Sequence, residues 1–162
     1  MGSFQGLFTP HLGAGTGGDV SSARLTWGLS VAVHEQDGWG AELDFGRADD
    51  AEAGRQILDL TTYMVNASWM RPTGQIRPFA LGGIGVVNAN GCDAPCNIPA
   101  STYDLGWTFG GGVLARLNDM IGVRGDLRYF FASADHPDLN RPDNLDFWRA
   151  SVGITFMWAI IP

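Results

Sequence analysis

The sequence contains no lysine; each of its ten basic residues is arginine. That excludes catalysis by a lysine amine or a Schiff base. Charged side chains make up only 17% of the chain, below the roughly 25% usual for soluble domains. The formal net charge of −7 leaves no basic face for nucleic acid, so no such partner is expected. No apolar run reaches the length a membrane helix requires. Met1-Gly2-Ser3 lacks the basic-then-apolar pattern of a signal peptide. The protein is therefore either cytosolic or carries its signal no longer.

Cysteine is equally scarce. Cys92 and Cys96 stand in Gly-Cys-Asp-Ala-Pro-Cys-Asn, with no further cysteine or histidine beside them. Too few ligands are present for a metal site, and no metal or cofactor is expected. The spacing reads as a disulfide closing one loop, which implies an oxidising compartment; two free thiols are the alternative.

Glycine, at 23 residues, and tryptophan, at 6, are abundant. The dominant pattern has a period of two. From Arg24 to His34, Leu25, Trp27, Leu29, Val31 and Val33 alternate with small or polar residues. Such alternation is a strand with two unlike faces. Trp39–Gly46, Tyr103–Ala115, Ile121–Phe131 and Asp146–Trp158 repeat it. Three segments are less regular. Leu7 and Pro10 interrupt the first, Leu58 and Leu60 suggest a bulge or shifted register in the fourth, and Pro78 and several glycines mark the fifth. The reading is one domain, residues 1–162, with strands near 4–15, 24–34, 38–47, 57–69, 76–87, 103–115, 121–132 and 145–158.

These strands are long, and their connections alternate between short turns and longer polar loops. That layout predicts an all-β, eight-stranded antiparallel up-and-down transmembrane barrel. The polar face carries Arg24, Glu42, Asp44, Asp104, Arg124, Asp126, Arg128 and Arg149 in or near strand middles. Four arginines balance four acids, as a narrow lumen requires, because an unpaired buried charge is costly. Gly6, Gly13, Gly28, Gly82, Gly106, Gly110 and Gly112 are read as inward too. Aromatics gather in two bands. Trp39, Trp69, Phe79 and Trp158 lie at the short-turn end. Trp27, Phe45, Tyr103, Trp107, Tyr129, Phe131 and Trp148 lie at the long-loop end. Two aromatic belts are the expected marks of two membrane interfaces.

Arg124-Gly125-Asp126 looks like an adhesion tripeptide. Two apart on a strand, Arg124 and Asp126 instead point together into the lumen with Arg128.

The end of the sequence is more specific. Ser151-Val-Gly153-Ile-Thr-Phe156-Met-Trp158 resembles the signal by which bacterial outer-membrane barrels are recognised for insertion. Gly-Asp-Leu-Arg-Tyr-Phe, with Asp-Phe-Trp-Arg-Ala-Ser-Val-Gly, resembles the last hairpin of small barrels of the outer-membrane-protein-A-like class. Pro78-Phe-Ala-Leu-Gly-Gly-Ile-Gly-Val86 resembles their fifth strand. The resemblance spans the barrel and implies a bacterial outer-membrane location, with the signal peptide removed. It also implies a bilayer containing lipopolysaccharide and contact with the insertion machinery. Two departures stand out. Ala159–Pro162 follow the usual aromatic end, and these 162 residues hold no peptidoglycan-binding domain, so that family role is not implied.

The function expected is a structural barrel with a plugged, ion-paired lumen. Its surface loops would serve envelope integrity, adhesion or a protein partner. A narrow channel or a carrier of small, hydrophobic molecules is the alternative. Catalysis is not expected. His11 faces the lumen, His34 sits at a short turn, and His136 with Ser133 in an acidic loop makes no convincing nucleophile–base pair.

Overall fold

The computed structural model describes residues 4–17, 20–53, 56–92, 100–133 and 144–160. They form eight strands: β1 (Phe4–Gly17), β2 (Val20–His34), β3 (Trp39–Ala53), β4 (Gln56–Met70), β5 (Ile76–Cys92), β6 (Ala100–Arg116), β7 (Ile121–Ser133) and β8 (Asn144–Ile160). Each pairs antiparallel with its sequence neighbour, and β8 returns to β1, closing the barrel.

The turns at one end are built from local chemistry. Between β2 and β3, the Glu35 amide donates to Trp39 O and the Gly38 amide to Glu35 O. The Trp39 amide donates to Asp37 Oδ1. Gly38 has φ +96°, where a side chain is strained. Its carbonyl also accepts the Met70 amide at 2.9 Å, and an added Cβ would collide with Met70 O. Gly38→Ala is expected to destabilise the barrel by about 1–3 kcal/mol. A urea titration of the barrel in vesicles reads it, and an unchanged midpoint would contradict this account. Between β6 and β7, Asn118 Oδ1 accepts the amides of Met120 and Ile121, both at 2.8 Å.

At the other end the strands extend beyond the apolar alternation. β3 runs to Ala53 and β5 to Cys92, while β2 already begins at Val20. Only two residues separate β1 from β2, and two separate β3 from β4. Much of the length expected in loops is thus paired hairpin, because ladder hydrogen bonds need backbone and not an apolar side chain. Cys92 ends β5; its side chain and Cys96 lie outside the described residues, and so does the expected pairing.

The shifted register expected at Leu58 and Leu60 is present, but the bulge lies in β3 and not in β4. The register steps from Ala48↔Leu60 to Ala51↔Leu58, which places the extra residue in β3. β4 pairs continuously with β5 from Ile57 to Met70. Leu60 and Leu58 stand opposite the shift, and Leu60 points inward and is buried.

The outward face is apolar. Leu25, Leu43, Val65, Leu105, Val152 and Ile154 are all exposed. The inward face is layered, which the sequence reading did not anticipate. At the short-turn end Leu7, Ala32, Met70, Phe79, Leu81, Leu114 and Met157 form one buried apolar cluster. Toward the long-loop end Leu60, Met64, Val87, Phe130, Ala132 and Phe147 form a second. Phe79 therefore belongs to the lumen and not to the aromatic belt, since it shares the inward parity of Arg77 and Leu81. Gly6 and Gly82 are corrected in the opposite sense. They share the outward parity of Phe8 and of Ala80 and Ile84, and Trp158 lies over Gly6. Gly83 and Gly85 are the inward pair on β5, against Asn66 and Met64.

Candidate functional site

Between the two apolar layers sits a cluster of charges. β3 turns Glu42 and Asp44 inward, β7 turns Arg124, Asp126 and Arg128 inward, and β8 adds Arg149. β3 is adjacent to neither β7 nor β8, so the contacts cross the lumen. Arg124 Nη1 lies 2.7 Å from Glu42 Oε2. Arg128 Nη1 lies 2.9 Å from Glu42 Oε1 and 3.2 Å from Asp44 Oδ1. Arg128 Nη2 donates to Asp126 Oδ2 at 3.0 Å, and Arg149 Nη2 donates to Asp44 Oδ2 at 2.7 Å. These last two are aligned hydrogen bonds. The other three are close ion contacts without that alignment. Arg128 is the hub, touching all three carboxylates.

Three arginines face three acids, so the cluster is formally neutral. Its side chains are at most 4% exposed. Charge neutrality and close contact are what make such burial tolerable. The apolar layers also take part. The Arg124 guanidinium lies 4.2 Å from the Phe79 ring centroid and that of Arg149 4.9 Å from Phe130, within cation–π range. Glycine makes the room, because a Cβ on Gly46 would strike Arg149 and one on Gly112 would crowd Asp126.

Six of the eight charged residues singled out in the sequence meet here. Asp104 stands opposite Val87 nearer the loop end, and no ion pair joins it among the described residues. Arg24 stands opposite Gly15 and has an interaction of its own. Two members were missed. His11 Nε2 lies 3.3 Å from Asp44 Oδ1, and Ser151 Oγ donates to Asp126 Oδ1 at 2.6 Å. His11 was legible as inward from its parity with Thr9 and Gly13, but nothing in the sequence paired it with Asp44.

Trp27, Trp39, Trp69, Tyr103, Trp107, Trp148 and Trp158 are exposed on the outer wall, and Tyr129 is half-buried there. Toward the loop end the rings form two ladders, Trp27–Phe45–Tyr63 on β2 to β4 and Phe109–Tyr129–Trp148 on β6 to β8. The residues of the C-terminal motif also have places in the folded wall. Ser151 binds Asp126, Gly153 packs beside Thr9 and His11, Phe156 stacks on Phe8 and Trp158 covers Gly6.

The histidines are poorly placed for catalysis. His11 is buried against Asp44, and buried His34 is 2.9 Å from Ser68 Oγ, itself 3% exposed. A nucleophile needs access to substrate, and this pair has none. His136 lies outside the described residues. No group of three or more His, Cys, Asp or Glu side chains among the described residues is arranged to hold a metal. No helix is long and apolar enough to cross a membrane, which says nothing against crossing by strands.

A family model described as outer membrane protein beta-barrel domain matches residues 5–156. No curated protein matches the sequence. Among solved structures, neisserial surface protein A is similar with a TM-score of 0.75 at 14% identity, covering 96% of this chain and 99% of that one. Ail, the attachment invasion locus protein of Yersinia pestis, solved with the heparin analogue sucrose octasulfate, gives 0.61 at 14% identity, covering 97% and 99%. The outer membrane enzyme PagL gives 0.53 at 14% identity, covering 95% and 99%. At these identities the likeness is one of fold, and it is shared by proteins of different roles.

Proposed function

We propose, for a chain that belongs to the outer membrane protein beta-barrel domain family, a structural role: a plugged, non-enzymatic barrel that presents its long-loop end outside the cell. The observation that carries this reading is the filled lumen. A neutral ion cluster crosses it, and apolar layers pack above and below. Eight strands enclose little more than the volume their own side chains fill. Ions crossing such an interior must displace either paired charges or packed apolar groups. The sequence following β5 and β7 is acidic, with Asp93, Asp135 and Asp138 among its residues, a composition suited to a polar partner. A disulfide between Cys92 and Cys96 would rigidify one of them. The motif Ser151, Gly153, Phe156 and Trp158 supports a role in recognition by the insertion machinery before the barrel closes.

Purified protein in a planar bilayer is expected to give no steady conductance, while heat-modifiable migration in detergent reports that the barrel is folded. Large steady currents from folded protein would overturn the plug and favour a narrow channel.

A further inference from the structure

Two arginines at the short-turn mouth of the lumen stand apart from the ion cluster. Arg77 on β5 reaches across the full width of the barrel. Its Nη1 donates to Gln5 Oε1 of β1 at 3.0 Å, and its Nε donates to Gly74 O at 3.2 Å. β1 and β5 are four strands apart in the closed ring of eight, so the contact with Gln5 spans a diameter. Arg116, the last residue of β6, shares the inward parity of Leu114. Leu7, Phe79 and Leu114, each two residues further in on these three strands, belong to the apolar layer that closes the lumen behind the arginines.

The charge at this mouth is not balanced. Arg77 is only 8% exposed, yet both its partners are neutral oxygens, and no ion pair joins it among the described residues. Arg116 is its diagonal neighbour. The Arg116 amide donates to Gln75 O at 2.8 Å, while Arg77 stands opposite Leu114. Long side chains in that relation reach one another, and the neighbouring charge that acts on Arg77 is that of Arg116, of like sign. Arg116 Nη2 lies 2.7 Å from Asp119 Oδ1, but that carboxylate is fully exposed and counts for little. Arg116 Nε is buried without a hydrogen-bond partner. The inward positions nearest the turns on the other strands are Gln5, His34, Gly40, Met70, Gly122 and Ala159, none of them acidic. A buried cation is tolerated when its charge is compensated. The cluster deeper in the lumen has three acids for its three arginines; the mouth has no buried acid for its two.

We infer that the mouth is a binding site for a phosphate dianion, held between the guanidinium groups of Arg77 and Arg116. The planar donor fork of arginine matches the oxygens of phosphate. Two guanidinium groups favour an ion with two charges over a carboxylate or a phosphodiester, which bring one. Gln5 and Gly74 O hold Arg77 in place beforehand, so little side-chain freedom is lost on binding. The ion enters from the compartment that the short turns face, the periplasm in the orientation proposed above. Binding itself depends neither on that orientation nor on whether the lumen conducts.

The test is calorimetric titration of the full chain, folded in dodecyl maltoside and free of phosphate. Inorganic phosphate is added in mildly alkaline buffer, where it is mostly a dianion. One site is expected. Arg77→Gln and Arg116→Gln should each weaken it roughly tenfold or more, the usual weight of a hydrogen bond to a charged group. Arg71→Gln removes an exposed arginine at the same end and should change the affinity less than about twofold, because exposed charge is screened. Acetate should bind more weakly than phosphate. So should dimethyl phosphate, a singly charged diester that stands for a phospholipid headgroup. Heat-modifiable migration identifies any variant that fails to fold, and the other mouth variant then decides. Folded wild type that binds no phosphate, or binds acetate or dimethyl phosphate as well, would overturn the site. So would a loss in Arg71→Gln equal to that in Arg77→Gln.

Discussion

Arg128→Leu is expected to destabilise the barrel by about 3–5 kcal/mol, the usual effect of removing one partner from a buried ion pair. Arg128 contacts Glu42, Asp44 and Asp126, and its loss leaves three carboxylates facing two guanidinium groups. Leucine fits the apolar surroundings, so the deficit comes from charge and not from a clash. A second substitution separates the two. Asp126→Asn in the Arg128→Leu background restores neutrality, two acids against two arginines, and should recover part of the stability. Urea titrations of the three proteins in vesicles give the midpoints. A single variant within about 1 kcal/mol of wild type, or a double variant no better than the single, would count against a charge-balanced plug.

Phe130→Ala should cost a similar amount, about 3–5 kcal/mol, for a different reason. The ring is fully buried, stacks on Phe147 at 4.9 Å and lies beneath the Arg149 guanidinium. Alanine leaves a void in the apolar layer and removes the surface on which Arg149 rests. Phe130→Leu keeps most of the volume and should cost much less. If the two variants unfold at the same urea concentration, packing is not what the ring supplies.

These residues also show where the sequence was legible. The outward set was readable because hydrocarbon tolerates almost nothing but apolar groups, so every second residue from Leu25 to Val33 had to be apolar. The inward set obeys no such rule. A lumen side chain must fill space or find a partner, and either phenylalanine or arginine does so. Hence Phe79, Phe130 and Phe147 were invisible as plug residues, and Leu7 seemed to break a pattern when it was filling the short-turn layer. Pairing was equally closed to inspection. Asp44 and Arg149 are 105 residues apart, and only the ring of strands says that β3 faces β8 across the lumen. The acids and arginines were identifiable as a balanced set; who meets whom was not.

Closure of the ring by β1 and β8 also orders events in time. Seven of the eight strand pairings join consecutive strands and are local in sequence. The seam is the exception, with Thr9 meeting Thr155 across 146 residues. Local hairpins form readily, whereas the entropy of closing the whole chain falls on this one step. The ion cluster waits on the same step, because Glu42 and Asp44 reach Arg128 and Arg149 only when the sheet has curled round. The last strand to dock thus completes wall and plug together, and a chain stalled before it retains uncompensated charge where lipid or packed side chains should be.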